Sequence, residues 1–123
     1  MEKYKILYVD DEPTNLLLFE INLKKKFHIL TAESGSEGLE MLKNHSDTAV
    51  VISDMKMPGM NGLEFIRALK EVYPDKRCFI LTGYEVNTEM QDALNSGLIL
   101  RCLRKPMNMN DLASMIEKTI EEA

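Results

Sequence analysis

The sequence predicts an α/β fold in which five β-α units form a doubly wound, five-stranded parallel sheet. Short apolar runs alternate strictly with longer amphipathic stretches along the chain. The apolar runs are rich in Ile, Leu and Val and show little period-two alternation, which is typical of strands buried on both faces. No linker, repeat or low-complexity segment interrupts the series. Right-handed crossovers between parallel strands then place helices on both faces of the sheet.

Local signals support each element in turn. Ser34 or Ser36 is a suitable N-cap for the second helix, and Asn108 or Asn110 for the fifth. The fourth helix is predicted to end at Gly97, because glycine readily adopts the left-handed conformation that follows a helix. The strands are predicted at residues 5–9, 28–32, 49–53, 78–81 and 98–103, and the helices at residues 14–26, 34–44, 62–72, 86–96 and 109–122.

The helices are indicated by apolar residues at helical spacing. The third helix is predicted to stop before Tyr73-Pro74, because the residue before a proline disfavours helical geometry. In chain order, the indicating residues are Leu17, Leu18 and Ile21; Leu39 and Leu42; Phe65, Ile66 and Leu69; Met90, Ala93 and Leu94; and Leu112, Ile116 and Ile120.

Composition limits the class of protein. A chain of 123 residues predicts a single domain spanning 1–123. The net charge of −5 argues against direct nucleic-acid binding, because no basic surplus is present to neutralise phosphates. No apolar stretch approaches the roughly 20 residues needed to span a bilayer, and the start of the chain lacks a signal-peptide core. The cysteines, Cys78 and Cys102, lie in apolar runs and are interpreted as reduced core thiols. A cytoplasmic location is therefore expected.

Three carboxylates follow or end predicted strands. Asp10 and Asp11 follow the first strand, and Asp54 comes directly after the third. Because the carboxyl ends of parallel strands meet at one crevice, these side chains are expected to lie close together. At roughly 4 Å and an effective dielectric near 20, each like-charge pair costs about 4 kcal/mol. A hard, oxygen-seeking cation such as Mg²⁺ would relieve that repulsion.

Two further polar residues end the fourth and fifth predicted strands. Thr82 and Lys105 are expected at the same rim as the three acids. A metal and Lys105 can neutralise phosphoryl oxygens while Thr82 donates a hydrogen bond, so the set suits a phosphoryl group. Asp54 lies between the acid pair and the Thr82–Lys105 side, which makes it the predicted nucleophile for an aspartyl phosphate.

Four motifs lie at the ends of the first, third, fourth and fifth predicted strands: Val9-Asp10-Asp11-Glu12-Pro13, Ser53-Asp54-Met55-Lys56-Met57-Pro58-Gly59-Met60-Asn61-Gly62, Leu81-Thr82-Gly83 and Arg104-Lys105-Pro106. Together they resemble the signature of two-component response-regulator receiver domains, the phosphoacceptor domains of these systems. The resemblance covers essentially the whole chain. It implies the flavodoxin-like strand order 2-1-3-4-5 and a phosphorylation-switched signalling module.

The resemblance also implies residue roles. Asp11 would ligate Mg²⁺ directly and Asp10 through water, while Asp54 would accept the phosphoryl group. Asp54 and the backbone carbonyl of Lys56 would complete the protein's metal ligands. Thr82 and Lys105 would hold the phosphoryl oxygens, and the peptide bond before Pro106 would be cis. The module would catalyse only its own phosphorylation and dephosphorylation, so it is not expected to be an enzyme in the usual sense.

The implied partners are a sensor histidine kinase or phosphotransfer protein, and an output partner or domain on the face of the fourth helix, fifth strand and fifth helix. A homodimer is compatible with this face, whereas membrane and direct nucleic-acid contacts are not expected. Two residues depart from the receiver pattern: Cys102 stands where an aromatic switch residue is usual, and Met107 where the residue after Lys-Pro is often aromatic.

Two other classes remain as alternatives. A haloacid-dehalogenase-like Mg²⁺-dependent phosphatase would carry Asp-x-Asp after its first strand, where this chain has Asp10-Asp11-Glu12. A flavodoxin-like FMN-binding protein would need a Ser/Thr-rich phosphate loop in place of these acids.

Within the receiver interpretation, two bulky residues flank the approach of the water that would hydrolyse an aspartyl phosphate. These are Lys56, two residues beyond Asp54, and Tyr84, two residues beyond Thr82. Because they would restrict the access of water, we expect the phosphoryl group to be lost slowly.

Overall fold

The computed structural model describes residues 3–122, which form five strands and five helices in strict alternation. The strands are parallel and lie in the order β2-β1-β3-β4-β5, so the predicted fold class and strand order are confirmed. Residues 1, 2 and 123 of the predicted domain lie outside the described residues. None of the helices within 3–122 is long and apolar enough to cross a membrane. In chain order the elements are β1 Lys5–Val9, α1 Pro13–Leu23, β2 His28–Ala32, α2 Gly35–Asn44, β3 Val50–Asp54, α3 Gly62–Val72, β4 Arg77–Thr82, α4 Thr88–Ser96, β5 Arg101–Arg104 and α5 Met109–Glu121.

The fifth strand differs from its predicted bounds as much as α1 does, which ends at Leu23 rather than at residue 26. The strand was predicted at 98–103 but begins at Arg101. The side chain of Ile99 is buried in the core, and the backbone N–H of Leu100 donates to the Cys78 carbonyl oxygen at 2.8 Å. These apolar residues therefore belong to a packed connection rather than to the strand. Similarly, α4 begins at Thr88 because the Asn87 side chain caps it by accepting from the Met90 N–H.

Two apolar layers cover the sheet, one on each face. The layer between the sheet and α1 and α5 includes Phe19, Leu112 and Ile116 with alternate strand residues such as Ile52. The opposite layer contains buried residues of α2, α3 and α4, among them Phe65. Because successive strand residues point to opposite faces, every central strand contributes to both layers. This explains why the central strands lack polar alternation.

Helix α1 does not bury the residues that indicated it. Leu17, Leu18 and Ile21 are 56%, 52% and 51% exposed, and we call these three residues the outer face of α1. The residues packed on the sheet are Leu16, Phe19 and Leu23. The residues that indicate this helix in the sequence therefore differ from those it buries, because α1 is apolar around most of its circumference. Periodicity therefore could not select the buried side.

The start of α3 fixes the end of β3. Gly62 is buried, and its backbone N–H donates to the Met55 carbonyl oxygen at 2.9 Å. A Cβ at this position would overlap the carbonyl oxygen of Asp54, so only glycine lets the helix begin so close to the strand. A capping box between Asn61 and Glu64 secures this first turn. The chain thereby holds Asp54 against the helix that follows it.

The two cysteines are free thiols. Cys78 on β4 is buried, as predicted for a core thiol. Cys102 on β5 is only half-buried, so its interpretation as a core residue holds in part. Burial raises the pKa of both thiols, to about 12 for Cys78. Neither side chain is thus a ready thiolate at neutral pH.

Candidate functional site

Three carboxylates meet where β1 and β3 end. These strands are parallel neighbours, so Asp10 and Asp11 arrive beside Asp54, the last residue of β3. Each of the three offers an oxygen, and these oxygens lie within 4.8 Å of one another. Asp10 is fully buried, and the Asp54 side chain is only 13% exposed. The structure therefore brings together the carboxylates that the sequence singled out.

The remaining predicted residues line the same small cleft. Lys56, Thr82 and Lys105 surround it together with Asp11 and Asp54, and its volume is about 280 Å³. Lys56 follows β3, Thr82 ends β4 and Lys105 follows β5. All of the residues assigned roles from the sequence thus lie at or directly beside one edge of the sheet.

Lys105 joins two of the carboxylates. Its Nζ lies 2.9 Å from Asp54 Oδ1 and 3.2 Å from Asp10 Oδ2. The peptide bond from Lys105 to Pro106 is cis, as the resemblance implied, and the Lys105 N–H donates to the Thr82 carbonyl oxygen at 2.8 Å. Burial by itself would lower the pKa of Lys105, but hydrogen bonding and the charges of Asp54 and Asp10 outweigh it and raise that pKa. The ammonium therefore stays charged in the cleft.

Asp10 is held by donors that sequence reasoning missed. The Tyr8 hydroxyl donates to Asp10 Oδ2 at 2.6 Å, and the Asn15 side-chain amide donates to the same oxygen at 3.1 Å. Burial, with the Asp10 bond and charge next, raises the pKa of Tyr8 well above its usual range, so the hydroxyl keeps its proton. A tyrosine two residues before Asp10, in a strand whose other buried residues are aliphatic, was the available signal, since residues two apart share a face of a strand.

The electrostatics of Asp54 favour a bound cation. Burial raises the pKa of Asp54; the Lys105 hydrogen bond and charge oppose this, while the charges of Asp10 and Asp11 add to it. The net direction is upward, so the site holds a proton on Asp54 more tightly than water would. Clustered carboxylate oxygens are the ligands that Mg²⁺ prefers, and a divalent charge would offset their repulsion. The residues present therefore fit a hard divalent cation.

A contact between two loops spans the mouth of the cleft. Lys56 Nζ lies 4.3 Å from the centroid of the Tyr84 ring, in a cation–π arrangement that we call the mouth pair. Lys56 belongs to the loop after β3 and Tyr84 to the loop after β4, and the Tyr84 side chain is 58% exposed. The Tyr84 N–H donates to Thr82 Oγ1 at 3.1 Å, which ties this loop to the end of β4. The two residues flanking the predicted approach of water thus contact each other.

Cys102 occupies the position at which the resemblance implies an aromatic switch. Its Sγ lies 3.5 Å from the Met90 Sδ of α4, and the half-buried side chain packs against the core layer of α2, α3 and α4. The small thiol therefore fills a contact between β5 and α4. It carries no ring that could rotate between buried and exposed positions.

Comparisons with known proteins agree with the geometry. The model of the response regulator receiver domain family matches residues 6–117. The chain is 32% identical over 96% of its length to the transcriptional regulatory protein GlrR of Escherichia coli, and 28% identical over 96% to sporulation initiation phosphotransferase F of Bacillus subtilis. It covers 94% of the Bacillus protein. A solved response regulator receiver domain protein from Clostridium thermocellum superposes with a TM-score of 0.85, at 34% identity over 97% of this chain and 95% of that one.

Several of these relatives are much longer than the chain. The chain spans 26% of GlrR and 24% of the hydrogenase regulator HoxA of Cupriavidus necator. The part in common is the region that carries the acidic cleft.

Proposed function

The chain belongs to the response regulator receiver domain family, and from that premise we propose that Asp54 is the residue that accepts the phosphoryl group. The protein is a phosphorylation-switched signalling module of a two-component system. The observation that carries the assignment of Asp54 is its 2.9 Å contact with Lys105 inside the cleft. That contact sets a carboxylate oxygen beside a fixed positive charge, where a phosphoryl group would bind.

The proposed roles follow from what each side chain touches. An oxygen of Asp54 forms a bond to phosphorus as the bond to the donor breaks, and the donor leaves with that electron pair. Lys105 then neutralises a phosphoryl oxygen, and the Thr82 hydroxyl donates to another. Because the three side chains are held on neighbouring strand ends, the protein contributes chiefly positioning and charge.

Asp10, Asp11, Asp54 and the backbone carbonyl of Lys56 would hold Mg²⁺. When bound, Mg²⁺ supplies positive charge that stabilises the transferred phosphoryl oxygens. Support for this proposal comes from the three oxygens that lie within 4.8 Å of one another. Asp10 would act through a water molecule, which suits a buried carboxylate that already accepts several protein donors.

The proposed module catalyses only its own phosphorylation and dephosphorylation. The alternatives of a haloacid-dehalogenase-like phosphatase and of an FMN-binding protein are not supported, since the family match and the relatives are receiver proteins.

We place the proposed single domain at residues 1–123. Its two free thiols, with high pKa values, suit a reducing compartment such as the cytoplasm.

The proposed phosphodonor is a sensor histidine kinase or a phosphotransfer protein. A groove of about 510 Å³ between α1 and the start of α5 shares Asn15 and Lys105 with the acidic cleft, and Leu18 of the outer face of α1 lines it. A donor seated there would present its phosphoryl group beside Asp54.

The proposed output surface is the face of α4, β5 and α5, which could also serve a homodimer. Because Cys102 replaces the usual aromatic switch, we propose that coupling between the phosphorylation site and this face is weaker or takes a different route.

Intact mass spectrometry tests the proposed acceptor. Wild-type protein with acetyl phosphate and Mg²⁺ should gain one phosphoryl group, and Asp54→Asn should gain none. Asp92→Asn is the matched control, because Asp92 is an exposed residue of α4 outside the cleft. An equal adduct on Asp54→Asn and wild type would refute the assignment.

A further inference from the structure

Tyr8 is a buried hydroxyl donor beside the phosphorylation site. Among the described residues, four donors contact the Asp10 carboxylate, and the Tyr8 hydroxyl makes the shortest of these contacts at 2.6 Å. The ring stacks on Phe19 of α1, with centroids 4.3 Å apart and 17° between the ring planes. The side chain is 3% exposed. The stacked ring therefore fixes the direction from which the hydroxyl reaches Asp10.

The two oxygens of Asp10 are unequally occupied. Oδ2 accepts from Tyr8, from Asn15 at 3.1 Å and from Lys105 at 3.2 Å. Within residues 3–122, Oδ1 accepts only the Glu12 backbone N–H, at 3.0 Å. A carboxylate offers about four lone-pair positions, about two on each oxygen. Oδ1 is thus the oxygen with acceptor capacity left for a metal-bound water. The donors on Oδ2 determine which oxygen that is.

Lys105 cannot keep its present contacts throughout phosphorylation. It now bridges Asp10 and Asp54. Once Asp54 carries the phosphoryl group, the proposed role of Lys105 is to neutralise a phosphoryl oxygen, which draws the ammonium away from Asp10. The Tyr8 hydroxyl and the Asn15 amide are then the side-chain donors left on Oδ2. Of these two, Tyr8 makes the shorter bond and has the more restricted side chain.

On this basis, which rests on the proposed function, we propose that Tyr8 is a positioning residue for phosphorylation: its hydroxyl keeps the Asp10 carboxylate oriented toward the metal while Lys105 serves the phosphoryl group. Packing alone does not require the hydroxyl, because a phenyl ring would stack on Phe19 equally well. Supporting groups around metal sites commonly change metal affinity by 10–100-fold when removed. The hydroxyl acts through Asp10 and does not itself touch metal or substrate.

Mg²⁺ titrations followed by the backbone amide NMR signals of the cleft test the proposal. Tyr8→Phe, which retains the stacking ring, should raise the Mg²⁺ dissociation constant about tenfold. Tyr73→Phe is the matched control: the Tyr73 hydroxyl donates to the Leu42 carbonyl oxygen at 3.3 Å, away from the cleft. In an Asp10→Ala background, which leaves no side-chain acceptor for the hydroxyl, Tyr8→Phe should cause no further change.

The outcomes separate this inference from the proposed function. A wild type that binds no Mg²⁺ overturns both. If wild type binds Mg²⁺ and Tyr8→Phe binds it with equal affinity, the role of Tyr8 alone is overturned. The same follows if the Tyr8→Phe effect is undiminished in Asp10→Ala. A separate measurement on wild type follows the Tyr8 hydroxyl proton, whose resonance should persist when Mg²⁺ and beryllofluoride are added. Its loss on activation refutes the proposal even if Tyr8→Phe does not fold.

Discussion

The mouth pair is predicted to lengthen the life of the aspartyl phosphate. Lys56 and Tyr84 flank the predicted approach of a water that would hydrolyse the bond between Asp54 and a phosphoryl group. Their cation–π contact, with Nζ 4.3 Å from the ring centroid, spans the entrance and joins the loops that carry the two residues. Substituting Tyr84→Ala removes the ring and leaves the entrance open. The phosphorylated variant should therefore lose its phosphoryl group faster than wild type does.

The magnitude follows from the exposure of the pair. Tyr84 is 58% exposed, and cation–π contacts at exposed sites contribute about 0.5–1 kcal/mol. If that free energy holds the entrance closed, opening it should speed hydrolysis by about two- to fivefold, since 1.4 kcal/mol corresponds to tenfold. Lys56→Met keeps most of the side-chain length but removes the charge. It should give a similar increase, and the two changes together should be less than additive.

The assay is the decay of phosphorylated protein after acetyl phosphate is removed, followed by intact mass at constant Mg²⁺. Tyr4→Ala is a matched control, because Tyr4 is also 58% exposed but lies near the opposite edge of the sheet. The control should decay at the wild-type rate. If Tyr84→Ala decays no faster than Tyr4→Ala, the mouth pair does not restrict water and the reasoning fails.

Three further predictions concern stability. The raised pKa of Asp54 means that the folded protein binds a proton on this carboxyl more tightly than the unfolded chain does. Protonation of Asp54 therefore contributes its full stabilisation below pH 3.8, and this stabilisation is lost as the pH rises through the pKa of the folded state. Asp54→Asn should therefore raise the thermal unfolding midpoint at pH 7, by about 4 °C per kcal/mol of repulsion relieved. The variant should lose this advantage over wild type near pH 3.5. Equal unfolding midpoints of variant and wild type at pH 7 would contradict this prediction. Mg²⁺ at a hundredfold excess over its dissociation constant should stabilise wild type by about 2.7 kcal/mol in thermal melts. Asp11→Asn should weaken Mg²⁺ binding more than Asp10→Asn, because the proposed role of Asp10 is through water. Gly62→Ala should destabilise the fold by about 1–3 kcal/mol in urea titrations, because its Cβ would overlap the Asp54 carbonyl oxygen. Gly83→Ala is the control, since a Cβ at Gly83 would lie in open space. Equal destabilisation by the two substitutions would refute the argument.

Several features followed from the sequence because they depend on local order along the chain. Alternating apolar runs predicted five strands and five helices, and β1, β2 and α3 begin and end as predicted. Asp10, Asp54, Thr82 and Lys105 were expected at one edge because the ends of parallel strands coincide, whatever the side-chain details. The strand order came from the resemblance, since spacing alone does not choose among neighbours.

The tertiary structure alone decided which groups face each other across elements. Sequence periodicity favoured Leu17, Leu18 and Ile21 as the apolar stripe of α1, but the stacking of Phe19 on Tyr8 accompanies burial of a different side. The Tyr8 hydroxyl bond to Asp10 and the contact of Lys56 with Tyr84 likewise depend on distances of a few ångströms between separately placed side chains. Such contacts are set by how elements pack, because a helix that is apolar around most of its circumference can dock by more than one face with similar burial of apolar surface. The strand ends place the acidic site, and packing determines how its side chains are held.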